Sequence, residues 1–178
     1  TIMFEVIDDL LKSAELSLAE VDAYVVNCGP GSYTGVRIGM SVAKTFAQVH
    51  DKPLIPVNSL ELLAGQIRHL KNDFPVLLNC TRREIFHSVF RIVDDHPVAH
   101  TAIQLTSLEK FIEISVDFPV VHFRVTPDRR TPQPLFANLV LLHSDYPLPT
   151  AQLLDRSVAY KLSSSADDHI IAVHAVYI

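Results

Sequence analysis

The chain has 178 residues, 48% of them hydrophobic and 20% charged. This balance excludes an extensively disordered chain, which would be poorer in apolar residues, and the length suffices to bury a substantial core. The formal net charge of −5 argues against a protein that binds nucleic acid unaided, because the neutralisation of phosphates requires a basic face.

The first 73 residues alternate between patterns typical of helices and patterns typical of buried strands. Apolar residues recur at three- and four-residue steps from Ile2 to Ala14, which predicts an amphipathic helix. Ser17 and Glu20 have the spacing of a capping box at the start of a short turn. Helices and strands at this spacing indicate a parallel sheet built from βα units. The elements predicted next are a strand over 23–28, a helix over about 36–50, a strand over 54–57 and a helix from Asn58 to about residue 70.

After residue 73 the pattern becomes richer in strands. The turn signal Asp94-Asp95-His96-Pro97 predicts a hairpin, and Thr106 with Glu109 predicts the start of a short helix. The chain is therefore expected to form two parts, an α/β part over 1–73 and an α+β part over 74–178. The predicted elements of the second part are strands over 74–78, 85–93 and 98–105, a helix to 114, a strand over 119–125, a weak helix over 151–163 and a strand over 170–177.

Glycine is concentrated in one place. All five glycines lie between Gly29 and Gly65, and four of them fall within 29–39, which marks a segment where backbone geometry matters. The segment lacks the Gly-Lys-Ser/Thr ending of a phosphate-binding loop, so a structural turn with a helix-capping hydroxyl is favoured over an anion site. The residues of this candidate structural loop are Gly29, Pro30, Gly31, Ser32, Thr34 and Gly35.

The helix after this loop carries a stripe of small residues. Gly35, Gly39, Ala43 and Ala47 are four residues apart, and residues at this spacing share one face of a helix. Such a stripe allows another element to approach closely. The sequence leaves open whether that element belongs to this chain or to a partner.

The segment 29–47, GPGSYTGVRIGMSVAKTFA, closely resembles the signature stretch of the TsaB (YeaZ) family, with all four glycines in register. Looser similarities lie at Glu84-Ile85-Phe86 and at the C-terminal Ala175-Val176-Tyr177-Ile178, whereas Asn79 stands where the family commonly has Asp. The resemblance implies an α/β, actin/Hsp70-like (ASKHA) fold of two α/β subdomains. The first subdomain is expected to lack its N-terminal strands.

The resemblance also implies a function. Members of the family are non-catalytic subunits that bind TsaD, together with the ATPase TsaE, and so support threonylcarbamoylation of the adenosine next to the anticodon of ANN-decoding tRNAs. It implies contact with tRNA only through the complex, a homodimer when the chain is alone, and no cofactor. The alternative from another class is an enzyme, an actin-like ATPase or a peptidase.

A partner surface is expected on the first two helices, because one presents an apolar face and the other the small-residue stripe. Two such helices from each partner could form a four-helix contact. A charged residue at Met40 or Ala43 is expected to abolish association while the chain stays folded. The predicted interface residues are Met3, Ile7, Leu10, Leu11, Val36, Gly39, Met40, Ala43 and Ala47.

Other kinds of site have weaker support in the sequence. The closest histidines, His96 and His100, fall on a predicted hairpin arm rather than a helix, so no metal site is expected, and His87 is expected to face solvent or a sheet neighbour. Ser32 lacks the flanking glycines of a hydrolase nucleophile elbow. The arginine doublets at 82–83 and 129–130 are expected to be solvated.

The remaining expectations concern location and the thiols. Cys28 and Cys80 follow apolar runs and are expected to be buried thiols. No apolar run approaches the roughly 18–20 residues of a membrane-spanning helix, and nothing resembles a signal peptide, so the cytoplasm is the expected location.

Overall fold

The computed structural model describes residues 2–67, 70, 72–81 and 83–114, and the backbone of two further strands at 120–123 and 139–142. The helices are α1 (Ile2–Ser13), α2 (Tyr33–His50), α3 (Ser59–Ala64) and α4 (Leu108–Ile114), with a 3-10 turn at Leu18–Glu20. The strands are β1 (Tyr24–Asn27), β2 (Leu54–Val57), β3 (Phe74–Asn79), β4 (Glu84–Val93), β5 (His96–Ala99), β6 (Gln104–Ser107), β7 (Val120–Phe123) and β8 (Leu139–Leu142).

These strands form two sheets. The first is a parallel pair in which Tyr24 of β1 is in register with Leu54 of β2, as the alternating βα pattern predicted. The second has the order β5-β4-β3-β7-β8, with β6 also paired to β4. Strands β3, β7 and β8 run parallel, and β4 is antiparallel to β3, β5 and β6, so the second sheet is mixed.

The helices and strands predicted for the first part are confirmed, with shifted ends. Helix α2 begins at Tyr33 rather than near residue 36, because the Ser32 hydroxyl already accepts a hydrogen bond from the Gly35 amide. Helix α3 ends at Ala64, well before residue 70. The predicted capping box is present, since the Glu20 carboxylate accepts hydrogen bonds from the backbone and the hydroxyl of Ser17.

In the second part, the predicted hairpin is confirmed. Asp94 and Asp95 form its turn with φ of 49° and 66°, a conformation that aspartate tolerates better than most residues. The prediction of one strand over 98–105 is wrong. Strands β5 and β6 are separate, and they pair with opposite halves of β4.

The start of α4 also differs from the prediction. The Ser107 hydroxyl, not that of Thr106, accepts the amide hydrogen of Lys110, while Thr106 lies within β6. Strand β7 confirms the strand predicted over 119–125, and β8 was not predicted although its sequence, LVLL, is a short apolar run. The predictions over 151–163 and 170–177, and the doublet at 129–130, lie outside the described residues.

Each sheet has its own core. Met40 and Ala47 of α2 pack on β1 and β2 beside Tyr24 and Leu54. On the second sheet, one face packs against α3, and the other holds a smaller cluster with Phe111 of α4. Because α3 precedes residue 73 yet packs on the second sheet, the proposed parts over 1–73 and 74–178 share contacts. No helix in the described part of the chain is long and apolar enough to span a membrane.

Candidate docking surface

The glycine-rich loop connects β1 to α2 through a sharp reversal. Gly29 has φ of 98°, a conformation that side chains other than glycine rarely adopt, and the Gly29–Pro30 peptide is cis. The Asn27 side chain bridges the loop to α3: its Oδ1 accepts hydrogen bonds from the Gly29 amide at 2.9 Å and from the Ser59 hydroxyl at 3.1 Å. The loop therefore has partners within the chain, in line with a structural turn.

Helix α2 is capped as the sequence predicted. Ser32 Oγ accepts a hydrogen bond from the Gly35 amide at 3.3 Å, whereas Thr34 lies in the first turn of the helix. At the other end, Asp51 adopts a left-handed conformation and ends the helix. The serine hydroxyl is thus used to cap a helix.

Helix α1 lies on the surface. None of its residues is buried, although Met3, Ile7 and Leu11 are half-buried. The next face of the helix is apolar and open to solvent: the exposed fractions are 77% for Ile2, 50% for Val6 and 64% for Leu10. An apolar row of this kind on a short surface helix is typical of a face that another element covers.

A groove of about 490 Å³ separates α1 from α2. Met3 and Ile7 line it from α1, Val25 from β1, and Gly35 and Gly39 from α2. A Cβ added at Gly39 would meet no atom within 4 Å, so within the described residues nothing packs closely on this glycine. At Gly39 the small-residue stripe therefore borders an open groove, whose lining includes Val25 of the chain's own sheet.

The outward face of α2 is apolar as well. Ile38 is 50% exposed and Val49 70% exposed, with the half-buried Val42 between them at helical spacing. This row and the exposed row of α1 lie on either side of the groove. We call the two rows and the groove between them the α1–α2 layer.

Two residues of the predicted interface do not belong to this layer. Met40 is 6% exposed and Ala47 is fully buried, and both pack in the core with Tyr24 and Leu54. The burial of Met40 argues against its place on a partner surface, and a charge there is expected to destabilise the fold, because burying an unpaired charge costs several kcal/mol. Ala43 is half-buried and also contacts this core.

The structure brings the other predicted interface residues together. Met3, Ile7, Val36, Gly39 and Ala43 line the groove. Leu10 is in the exposed row, and Leu11 is half-buried beside it. In the exposed rows the sequence reading missed Ile2, Val6, Ile38 and Val49, and it also missed Phe4 and Tyr33, which are exposed elsewhere on these two helices.

Outside the layer, His87 is the one histidine with a buried side chain among the residues that the structure describes. It is 6% exposed, its Nε2 lies 3.0 Å from the Thr106 hydroxyl, and its ring packs on Phe111 at 4.8 Å. Of the two expectations for His87, solvent or a sheet neighbour, the second is confirmed, because Thr106 lies on β6, which pairs with β4, and both faces of the second sheet are covered. This burial lowers the pKa of the imidazole below its usual range.

Two further features outside the layer are an ion pair and the two cysteines. Arg91 makes a two-point contact with the carboxylate of Asp73, at 2.6 and 3.0 Å, and this hydrogen bonding lowers the pKa of Asp73. Cys28 is buried as expected, but Cys80 is exposed, because it lies in the turn just beyond β3, and the two do not form a disulfide. No group of three His, Cys, Asp or Glu residues in the described ranges is placed to hold a metal ion.

Comparison with known proteins identifies the family. The model of a family described as TsaD, tRNA N6-adenosine threonylcarbamoyltransferase, matches residues 1–117. The chain belongs to this family. Among curated relatives, the TsaB protein of Bacillus subtilis, named a tRNA threonylcarbamoyladenosine biosynthesis protein, is 35% identical over 85 residues, which are 48% of this chain and 37% of that protein. The resemblance to the TsaB (YeaZ) branch is therefore confirmed.

Two further comparisons agree. The transferase of Chelativorans sp. is 45% identical over 74 residues, 41% of this chain and 20% of that protein. The solved structure of YeaZ from Pseudomonas aeruginosa superposes with a TM-score of 0.73 at 19% identity, over 97% of this chain and 82% of that one. An α/β fold with mixed sheets, like that of YeaZ, is thus shown. The matched region makes up 37% of the Bacillus subtilis protein and 20% of the Chelativorans sp. protein, well under half of either.

Proposed function

We propose that this chain is a non-catalytic scaffold subunit that binds a TsaD-type transferase through the α1–α2 layer. In this role it supports threonylcarbamoylation of the adenosine next to the anticodon of ANN-decoding tRNAs, with a TsaE-type ATPase joining the assembly and tRNA contacted only through the complex. The proposal includes the division into two actin-like subdomains and a location in the cytoplasm. The observation that carries it is the layer itself, found in a chain whose relatives include TsaB proteins.

Three properties of the layer support a protein partner. Its exposed rows are apolar, with Leu10 and Val49 more than half exposed, and helix faces of this kind are stabilised by covering. The groove between the rows is lined without a single charged side chain. The open position at Gly39 lets a partner's backbone or side chain approach α2 closely.

The enzyme alternative has less support in the described residues. The Ser32 hydroxyl caps α2, and Asn27 is engaged with Gly29 and Ser59. One solved relative is described by its similarity to a peptidase, YeaZ, which is a statement about that protein. A scaffold therefore explains the observations with fewer assumptions.

The test is binding to the TsaD homologue of the same organism, measured by isothermal titration calorimetry. Leu10→Glu and Ile38→Glu each place a charge in an exposed row without disturbing a buried group, and each is expected to weaken binding by at least about tenfold, or about 1.4 kcal/mol. Val93→Glu is the matched control, because Val93 is 39% exposed on β4, away from the layer. Unchanged binding by both row variants, with native circular dichroism, would refute the proposal.

A further inference from the structure

A buried histidine connects α4 to the second sheet. The ring of His87 on β4 packs on Phe111 of α4, with 4.8 Å between the ring centres. Its Nε2 lies 3.0 Å from the hydroxyl of Thr106 on β6, the strand that leads into α4. Its Nδ1 is buried and has no hydrogen-bond partner within the described residues. The imidazole therefore has one polar contact and lies otherwise among apolar side chains.

These surroundings suit the neutral imidazole and not its protonated form. An imidazolium carries an N–H on both ring nitrogens. The Thr106 hydroxyl can accept the hydrogen bond from Nε2, but Nδ1 faces no acceptor, and the positive charge would lie in the apolar cluster of Leu77, Ile85 and Phe111. Because an unpaired buried charge is unfavourable, uptake of a proton by His87 is coupled to exposure of its ring to water.

No charged residue of α4, β3 or β6 is placed to offset a charge on His87. Strands β3 and β6 contain no charged residue. Across the sheet, His122 of β7 is in register with Leu77, which is in turn in register with His87. The charged residues of α4 are all exposed, whereas Phe111 of the same helix is buried: Glu109, Lys110 and Glu113.

Further along β4, the same face of the sheet carries an ion pair. Arg91 is four residues from His87 and so lies on the same face of the strand. Its guanidinium contacts the carboxylate of Asp73, and Nδ1 of His100 lies 3.7 Å from that carboxylate. Asp73 is therefore engaged by Arg91 and does not neutralise His87.

The element that can yield to a charged His87 is α4. Strand β4 is paired with β3 on one side and with β5 and β6 on the other, so moving His87 together with its strand would break these ladders. Helix α4 has 7 residues, and a helix of this length is marginal in water on its own. It is attached to the sheet by the side chains of Leu108 and Phe111 and by a hydrogen bond from the Leu108 amide to the Arg83 carbonyl.

We propose that protonation of His87 releases α4 from the second sheet while both sheets stay folded. The neutral imidazole keeps α4 in place by packing on Phe111, and the charged imidazole is accommodated only when α4 moves away and water reaches the ring. Release uncovers the apolar face formed by Leu77 and Ile85. The inference concerns the second sheet and does not depend on the α1–α2 layer.

Hydrogen–deuterium exchange of the full chain at about pH 7 and about pH 5, corrected for the intrinsic effect of pH on exchange, tests this directly. The released state binds the proton with the ordinary pKa of histidine, so lower pH favours it, by at most about tenfold for each pH unit below about 6.5. The protection of α4 is therefore expected to fall on the order of tenfold between the two pH values, while β3 and α2 stay within about twofold.

Variants of three histidines identify the group that titrates. His87→Gln keeps a neutral hydrogen-bonding side chain, and His87→Leu keeps an apolar one. In both, the protection of α4 is expected to be the same at the two pH values. The matched controls are His100→Gln on the same face and His122→Gln across the sheet, and both should show the wild-type fall.

Each other outcome overturns the inference. A wild-type α4 that is equally protected at both pH values would show that no release occurs. An equal fall in the His87 variants, or the loss of the fall in a control variant, would show that another group is responsible. A fall in β3 and α2 as large as that in α4 would show unfolding of the whole chain. None of these results bears on the proposed function, which is decided by the binding of TsaD to the Leu10→Glu and Ile38→Glu variants.

Discussion

Met40 and Ile38 are two residues apart on α2 but lie on opposite sides of the helix. Truncating the two side chains should therefore affect different properties, the stability of the fold and the binding of a partner. Met40 is 6% exposed and packs against Tyr24, Ala47 and Leu54, whereas Ile38 is 50% exposed in the apolar row. We predict that Met40→Ala chiefly destabilises the fold. Ile38→Ala should chiefly weaken the binding of a partner.

The magnitude follows from the burial of each side chain. Complete burial of a methionine contributes about 1.5–3 kcal/mol, and the cavity left by its removal adds to that loss. The open groove beside Gly39 allows the helix some relaxation, so the expected loss for Met40→Ala is about 2–3.5 kcal/mol. For Ile38→Ala it is below about 1 kcal/mol, since half of the side chain is already in water.

Urea unfolding followed by circular dichroism measures both values. A change in the midpoint at constant slope reports a change in stability alone. A loss of less than about 1 kcal/mol for Met40→Ala would refute the placement of Met40 in the core. A loss as large for Ile38→Ala as for Met40→Ala would refute the assignment of the two faces of α2.

Two further predictions concern the helix cap and the buried imidazole. Ser32→Ala removes the hydroxyl that accepts a hydrogen bond from the Gly35 amide, and should lower the free energy of unfolding in urea by about 1 kcal/mol. Ser41→Ala, at an exposed position of the same helix, is the control and should lower it by less. Equal losses of stability would contradict the role of Ser32 as the helix cap. Burial lowers the pKa of His87 in the folded chain, so the unfolded chain binds a proton at this imidazole more readily. The neutral, buried imidazole therefore contributes fully to stability above about pH 6.5, and this contribution is lost as the pH falls below that value. His87→Gln should therefore lose less stability than the wild type between about pH 7 and pH 5, and parallel pH profiles would contradict this account.

The sequence predicted helices and strands correctly wherever one face of the element is buried and the other is exposed to solvent. The periodicity of α1 and the β-branched run of β1 predicted both elements, and the glycine-rich segment predicted the loop and the capped helix between β1 and β2. Such patterns are set by local geometry and by the contrast between core and solvent, which a single sequence contains.

The errors arise where that contrast is lost. Alternation on β4 left open whether His87 faces solvent or a sheet neighbour. Because α3 and α4 cover both faces of the second sheet, His87 is buried, with its ring beside Thr106 of β6. The small-residue stripe suggested one contact face for Gly35, Gly39, Ala43 and Ala47, but the first three line the groove and Ala47 is buried in the core of the first sheet. Which side of α2 meets the sheet depends on the pairing of β1 with β2, a contact between distant residues that helical spacing does not contain.

Hydrogen–deuterium exchange with and without the TsaD homologue tests the central claim most directly, because it reports where the partner covers the chain. Peptides from α1 (Ile2–Ser13) and α2 (Tyr33–His50) should exchange more slowly in the complex, and peptides from the β4–β5 hairpin should exchange at the same rate in both samples. Protection confined to the second sheet, or complex formation without protection of α1 and α2, would contradict the assignment of the α1–α2 layer as the partner surface.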